Sequence, residues 1–351
     1  MKSLFHRLLL AAVVTISLSC NSATGPGPDT PSGLPGADSP SITASGPGVF
    51  TFAPFDTAQI SRISPLGQLG PPGHVLPTDH IYIHFVNSTG NQSTNDCARR
   101  PVYAVGDGVV NFMLQPVGTD WKVGVQMTRT FMYYFDHIYP NPGTVVGTVV
   151  TAGQQIGTTN GFCPSIDLGV IDLDVTLGGL LTPERYGATV HTGSPLKYFT
   201  EPVRSALYRR IDRAASDPNR DGRIDYGIRG SLIGDWFLPT LPKTAESTGA
   251  NGWAKSLAFV YDNVNPSTIR VSIGGTLPIG LWAVEGNAPD PATVNVATGK
   301  VMYKLIPYGG AAQPGMLAVQ MIADDRIRIE VFIGSVDPNP AFTSNALEYV
   351  R

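Results

Sequence analysis

The chain has 351 residues, 42% of them hydrophobic, and a formal net charge of -3. That length suggests two domains at roughly 100–200 residues each, and the charge excludes a nucleic-acid partner, since no basic run occurs beyond the first residues. Charged residues make up only 15%, beside 39 Gly and 30 Pro, which favours short strands and turns over long helices.

The N-terminus reads as an export signal. Lys2, His6 and Arg7 precede an apolar run over residues 8–16, too short to span a bilayer, and Ser17-Leu18-Ser19-Cys20 follows. The last four residues resemble a lipobox, which makes residues 1–20 a lipoprotein signal peptide and Cys20 the lipidation site. The expected location is the bacterial cell envelope, with the membrane as partner through the lipid. Residues 21–47 are Gly, Pro, Ser, Thr and Asp with almost no large apolar groups, the composition of a disordered tether. In an oxidising compartment the two other cysteines, Cys97 and Cys163, are expected to pair. Such a bridge contributes about 4 kcal/mol in the chain-entropy model.

From residue 48 to about 200, short apolar runs alternate with turns. Runs at 80–86, 102–105, 108–114, 122–127, 130–135 and 166–172 have the length and β-branched or aromatic content of strands. A helix is expected over 202–214, where Val203, Leu207 and Ile211 have helical spacing, inside a helix-and-turn linker at 201–225. Residues 226–351 form a second β-rich block, with runs at 257–261, 269–273, 301–305, 317–322 and 326–333. Val319-Gln320-Met321 and Arg328-Ile329-Glu330-Val331 alternate as a half-buried antiparallel sheet should.

Histidine is scarce, with six in all, and His74, His80 and His84 fall close together. His80 and His84 are four residues apart on an expected strand, so both rings leave one face. Two same-face imidazoles are natural zinc ligands. A single such histidine is more often a hydrogen-bonded core residue.

Three further motifs occur in order: Pro101-Val102-Tyr103-Ala104-Val105-Gly106-Asp107-Gly108-Val109-Val110, Tyr134-Phe135-Asp136-His137, and Val149-Val150-Thr151-Ala152-Gly153-Gln154-Gln155-Ile156-Gly157. Together they resemble the lysostaphin/LytM-type zinc peptidoglycan endopeptidases over about residues 74–172. The resemblance implies an all-β, mainly antiparallel peptidase core of the duplicated hybrid motif type. It also implies zinc, held by two imidazoles and one carboxylate. The early family motif, H-x-x-x-D, falls on His80 to His84, and the late one, H-x-H, on Ser165-Ile166-Asp167. The implied ligands are therefore His80, His84 and Asp167, with His74 and Asp79 as a second registration. His137 matches the family's acid/base or oxyanion-stabilising histidine, and Ser165 stands where the other belongs. Losing one electrostatic stabiliser costs a factor of about 100–1000 in rate. Parts of these motifs also occur in biotinyl and lipoyl carriers, but Lys122 lacks the flanking residues those need.

Beyond this region, Asp217, Asn219 and Asp221, followed by Gly222, match the first half of a calcium loop, with Asp225 as a substitute ligand. Ile228 occupies the position of the bidentate Glu, so an EF-hand is excluded; a plain polar turn is the leading reading and calcium the alternative. Gly234-Asp235-Trp236 resembles the opening of lipocalin-like barrels, so residues 226–351 are expected to form a β-sandwich or β-barrel. Trp236, Trp253 and Trp282 read as core residues.

The leading expectation is an envelope lipoprotein whose peptidase-like domain has lost catalysis and binds peptidoglycan or a partner hydrolase. Two alternatives stay open: an active zinc-dependent peptidoglycan endopeptidase with a rearranged His-His-Asp site, and a surface lipoprotein that binds a ligand in its C-terminal block.

Overall fold

The computed structural model describes residues 42–86, 98–118, 120–160, 165–309 and 313–351. Cys20, Cys97 and Cys163 lie outside the described residues, as do the signal and most of the tether.

The first unit is one antiparallel sheet. Its strands are β1 (Ile60–Ser64), β2 (His80–Phe85), β3 (Pro101–Tyr103), β4 (Gly108–Val117), β5 (Asp120–Thr128), β6 (Phe131–Pro140), β7 (Val149–Val150), β8 (Gln155–Thr159) and β9 (Ser165–Asp172). They run in the order β1-β2-β9-β6-β5-β4-β7, with β8 bridging β3 and the end of β6. β6 has no polar alternation from Phe131 to Phe135 because the sheet is covered on both sides there. Phe131, Tyr133 and Phe135 join the main core, while Met132 and Tyr134 pack with Phe112, Ile171 and Ala188 on the other side. Phe50, before the sheet, and Phe199, after it, meet at 5.0 Å between ring centres and close the unit beside Phe131 and Tyr133.

The helix expected over 202–214 is shorter: α1 covers Val203–Tyr208. The reason is a competing partner. Ile63 of β1 donates its N–H to Arg210 and accepts one from Asp212, so the chain turns extended at Ile211 to pair with β1. Leu207, Ile211 and Ile224 are buried in the first unit's core.

The second unit is a closed eight-stranded antiparallel barrel: β10 (Gly234–Phe237), β11 (Ser256–Tyr261), β12 (Ile269–Ile273), β13 (Gly280–Glu285), β14 (Lys300–Tyr308), β15 (Gly315–Ala323), β16 (Arg326–Ile333) and β17 (Leu347–Val350). A short helix, α2 (Ala250–Trp253), lies between β10 and β11. Each strand pairs with its sequence neighbour, and Phe237 opposite Val350 closes the ring. Eight strands leave an interior just wide enough for side chains. Trp236, Phe259, Trp282, Tyr303, Leu317, Val319, Ile329 and Tyr349 fill it. The alternation read at 319–321 is the inside-outside pattern of β15; on β16 Arg328 and Ile329 follow it, while Glu330 is buried under Thr343, which donates to it.

The two units are packed together. Asn263 donates to the Pro65 carbonyl (3.0 Å), Arg213 to that of Asn263 (3.0 Å), Arg185 to that of Pro242 (2.8 Å), and the Tyr186 hydroxyl to Asp235 (2.8 Å).

Candidate metal centre

The site lies where β2, β9 and β6 run side by side. Tyr82 of β2 and Asp136 of β6 both stand opposite Asp167 of β9, and His80 stands opposite Gly169. His80, Tyr82 and Asp167 therefore share a face, as period-two spacing requires. His137, one residue past Asp136, would face the other way in a regular strand. Its φ is +65°, the one left-handed non-glycine backbone among the described residues, and this departure from the strand brings its ring to Asp167. Such a backbone costs about 1–3 kcal/mol and marks sites where function overrides local preference.

Two imidazoles meet one carboxylate. Asp167 Oδ2 lies 3.2 Å from His80 Nε2 and 3.4 Å from His137 Nε2. Each ring is held from behind by a second carboxylate. His80 Nδ1 is 2.9 Å from Asp79 Oδ1, and His137 Nδ1 is 3.1 Å from Asp120 Oδ2. These backing groups are themselves fixed: Tyr134 and Thr189 donate to Asp79 (2.9 and 3.0 Å), and Asn160 donates to Asp120 (2.8 Å). Tyr82 completes the inner wall, its hydroxyl 3.0 Å from His80 Nε2. Asp167 is 2% exposed, and its Oδ1 has no hydrogen-bond partner among the described residues.

Burial opposes charge on Asp167, Asp79, His80 and His137, yet their partners prevail. Asp167 is held down to about 2 by His80 and His137 against its burial. Asp79 is held below the usual carboxylate range against burial by its bond from His80 and by Lys122 and Tyr134. For His80, burial is outweighed by Asp167 and Asp79, which raise its pKa. His137 is raised further, since Asp167, Asp120 and Asp136 together outweigh burial.

The expected ligand set is brought together only in part. His80 and Asp167 meet, but His84 does not join them: its Nε2 lies 3.0 Å from Ser64 Oγ on β1. The shared face is real, but Tyr82 stands between the two histidines, its ring centre 4.9 Å from that of His80 and 6.4 Å from that of His84. Ser165 lies opposite His84, at the same end of the face. In the second registration, Asp79 backs His80. His74 sits at the edge, its ring 5.8 Å from His80 and 6.1 Å from Trp253 of the barrel unit. Burial, with the neighbouring His80, lowers His74 to about 4, and burial, with Arg62, does the same for His84.

The residues of the expected calcium loop diverge. Asp217 pairs with Arg213 at 3.0 Å and Asp225 with Arg223 at 3.2 Å, while Asp221 accepts from Ser194 and Tyr208 at 2.5 and 2.7 Å. Asn219 donates its backbone N–H to Asp217 at 2.7 Å. This is a polar turn tied to the first unit, the leading reading of the sequence.

Asp120, Asn160, Tyr82, Tyr134 and Thr189 were not singled out from sequence. Tyr82 and Tyr134 fall inside the motifs, so period-two spacing from His80 and Asp136 was the available signal. Asp120, Asn160 and Thr189 have none, since only the fold brings them to the site. Among the described residues, Asp120, Asp136 and His137 are the one group with candidate donor atoms all within 4.8 Å of one another. Lys122, 3.6 Å from Asp136, and Asn160, bonded to Asp120, already occupy its carboxylates.

No family model matches the sequence, and no curated protein matches it. Several solved structures are partly similar. Helicobacter pylori Csd3 is 18% identical, covering 44% of this chain and 35% of that one, with a TM-score of 0.29. A zinc-containing peptidase from Vibrio cholerae is 19% identical, covering 36% and 37%, with a TM-score of 0.28. The M23 metalloprotease pseudoalterin, from the deep sea, is 15% identical, covering 43% and 88%, with a TM-score of 0.27. The chain thus spans little more than a third of the Helicobacter and Vibrio structures.

Proposed function

We propose that the chain is an exported, lipid-anchored envelope protein whose first unit is a peptidase-like domain that binds zinc and engages the peptides of peptidoglycan. One observation carries this reading: His80 and His137 point their Nε2 atoms at the Asp167 carboxylate, whose other oxygen is buried and has no partner among the described residues. Two imidazoles and a carboxylate are a catalytic zinc donor set, and rings backed by carboxylates at Nδ1 are the usual support for metal-bound histidine. The residues that would hold the ion are thus His80, His137 and Asp167, with His137 in the place expected for His84.

Bound zinc would supply Lewis acidity to a peptide carbonyl and a water of lowered pKa. The chain's own groups do the rest. Asp79 and Asp120 orient the two imidazoles, and Tyr82 stands at the inner wall. Ser165 offers a hydroxyl where one stabilising histidine belongs, and His137, used as a ligand, leaves the other place empty; each loss is expected to slow hydrolysis by a factor of about 100–1000 relative to a site with both histidines. Peptide binding with weak turnover is the activity this arrangement supports. Among the described residues, the barrel core is filled by its own side chains and holds no comparable site.

The test is elemental analysis of the purified chain after zinc loading and gel filtration. Near-stoichiometric zinc is expected in the parent and in His84→Ala, and strong loss in His80→Ala and His137→Ala. Equal zinc in all four proteins, or none in the parent, would refute the centre.

A further inference from the structure

Beside the candidate centre, the same sheet face carries a second polar group. Arg62 of β1 stands opposite His84 of β2, which stands opposite Ser165 of β9. This row is two residues along the strands from the row of Ser64, Tyr82 and Asp167. Two residues of strand span about 7 Å. The row is linked: Arg62 Nη1 donates to Ser64 Oγ at 2.9 Å, and Ser64 Oγ lies 3.0 Å from His84 Nε2. Ser64 is buried, whereas the Arg62 side chain is 48% exposed.

We infer that Arg62, Ser64 and His84 form a carboxylate subsite on the same sheet face, taking the free C-terminal carboxylate of a bound peptide. This inference rests on the peptide-binding reading of the centre. Arg62 supplies a guanidinium, whose fork matches a carboxylate, and Ser64 and His84 supply a hydroxyl and an imidazole beside it. Among the described residues Asp212 is the one acid paired with Arg62, at 3.4 Å and 45% exposed, and so wet an ion pair yields readily to a better-placed carboxylate. Extended peptide advances 3.3–3.6 Å per residue. A carbonyl held at the Asp167 row therefore puts a carboxylate about two residues further on at Arg62. The substrate class is then a peptide with a free C-terminus close to the bond at the centre, rather than an internal stretch of a long cross-linked chain.

The experiment is titration calorimetry of the intact chain with acetyl-trialanine and with its C-terminal amide, each with and without zinc. The acid is expected to bind about tenfold or more tightly than the amide, as charge-assisted pairing gives. Arg62→Gln is expected to erase that preference and His84→Ala to reduce it, with zinc content unchanged in both. Equal affinity for acid and amide in the parent, no binding of either, or a preference that survives Arg62→Gln, overturns the subsite. A preference for the acid without zinc uptake upholds the subsite while the metal reading fails. Zinc uptake without a preference is the reverse.

Discussion

Four histidines, His74, His80, His84 and His137, divide into two classes with opposite responses to pH. His74 and His84 are pushed by burial to about 4, below the 6.5 of the free group, so the unfolded chain takes up their protons first. Their neutral forms stabilise the fold fully above pH 6.5, and that contribution is lost as pH falls from 6.5 towards 4. His80 and His137 are raised, so their contribution is full below pH 6.5 and is lost as pH rises through their folded values. Urea midpoints are therefore expected to fall between pH 7 and 4.5, and His84→Gln to shrink the fall. An unchanged slope in that variant would contradict the buried neutral state of His84. At this scale the sequence disclosed identities better than roles. His80, Asp167 and His137 were legible from motif order and spacing. The turn of His84 towards Ser64 was not, because β1 supplies its partner from twenty residues away.

At the level of strands, β9 depends on a missing side chain. A Cβ at Gly169 would fall 2.0 Å from Tyr134 Cζ, so the ring of Tyr134, which donates to Asp79, lies directly over the glycine. Gly169→Ala must displace that ring. Overpacking of this kind costs about 1–3 kcal/mol, and loss of the bond to Asp79 is expected to weaken zinc uptake as well. Denaturation and metal titration of this variant check both. Strand content itself was readable wherever apolar residues alternated or ran unbroken, as in β6, β15 and β16. β13 and β17 escaped because Gly280 opens one run and polar residues flank the other, so that only closure of the barrel makes them strands. α1 ended early because propensity could not foresee Ile211 pairing with Ile63.

Across the whole molecule the two units share a core rather than a hinge. Phe237 lies on barrel strand β10 yet is buried in the core of the first sheet, while its neighbour Trp236 fills the barrel. Alternation along one strand thus sends adjacent aromatic residues into different cores. Trp236→Ala should cost about 3–5 kcal/mol. Because β10 serves both, one transition seen alike by fluorescence and circular dichroism is expected, shifted as a unit in this variant. Two separate transitions would refute the coupling. The sequence announced two β blocks but not their junction, since Arg185, Asn263 and Tyr186 carry no pattern that names their partners.

The contact between Trp253 and His74 makes the barrel unit a witness to the other unit's chemistry. An indole's emission responds to the charge and hydrogen bonding of an imidazole close by, and here the two rings lie tilted at 53°. Trp253 belongs to one half of the chain, and the ring it faces belongs to the edge of the centre in the other. Filling or protonating that centre should therefore change the light emitted from across the junction. The chain carries its own optical reporter, and Trp253→Phe is the variant that should go dark to the change.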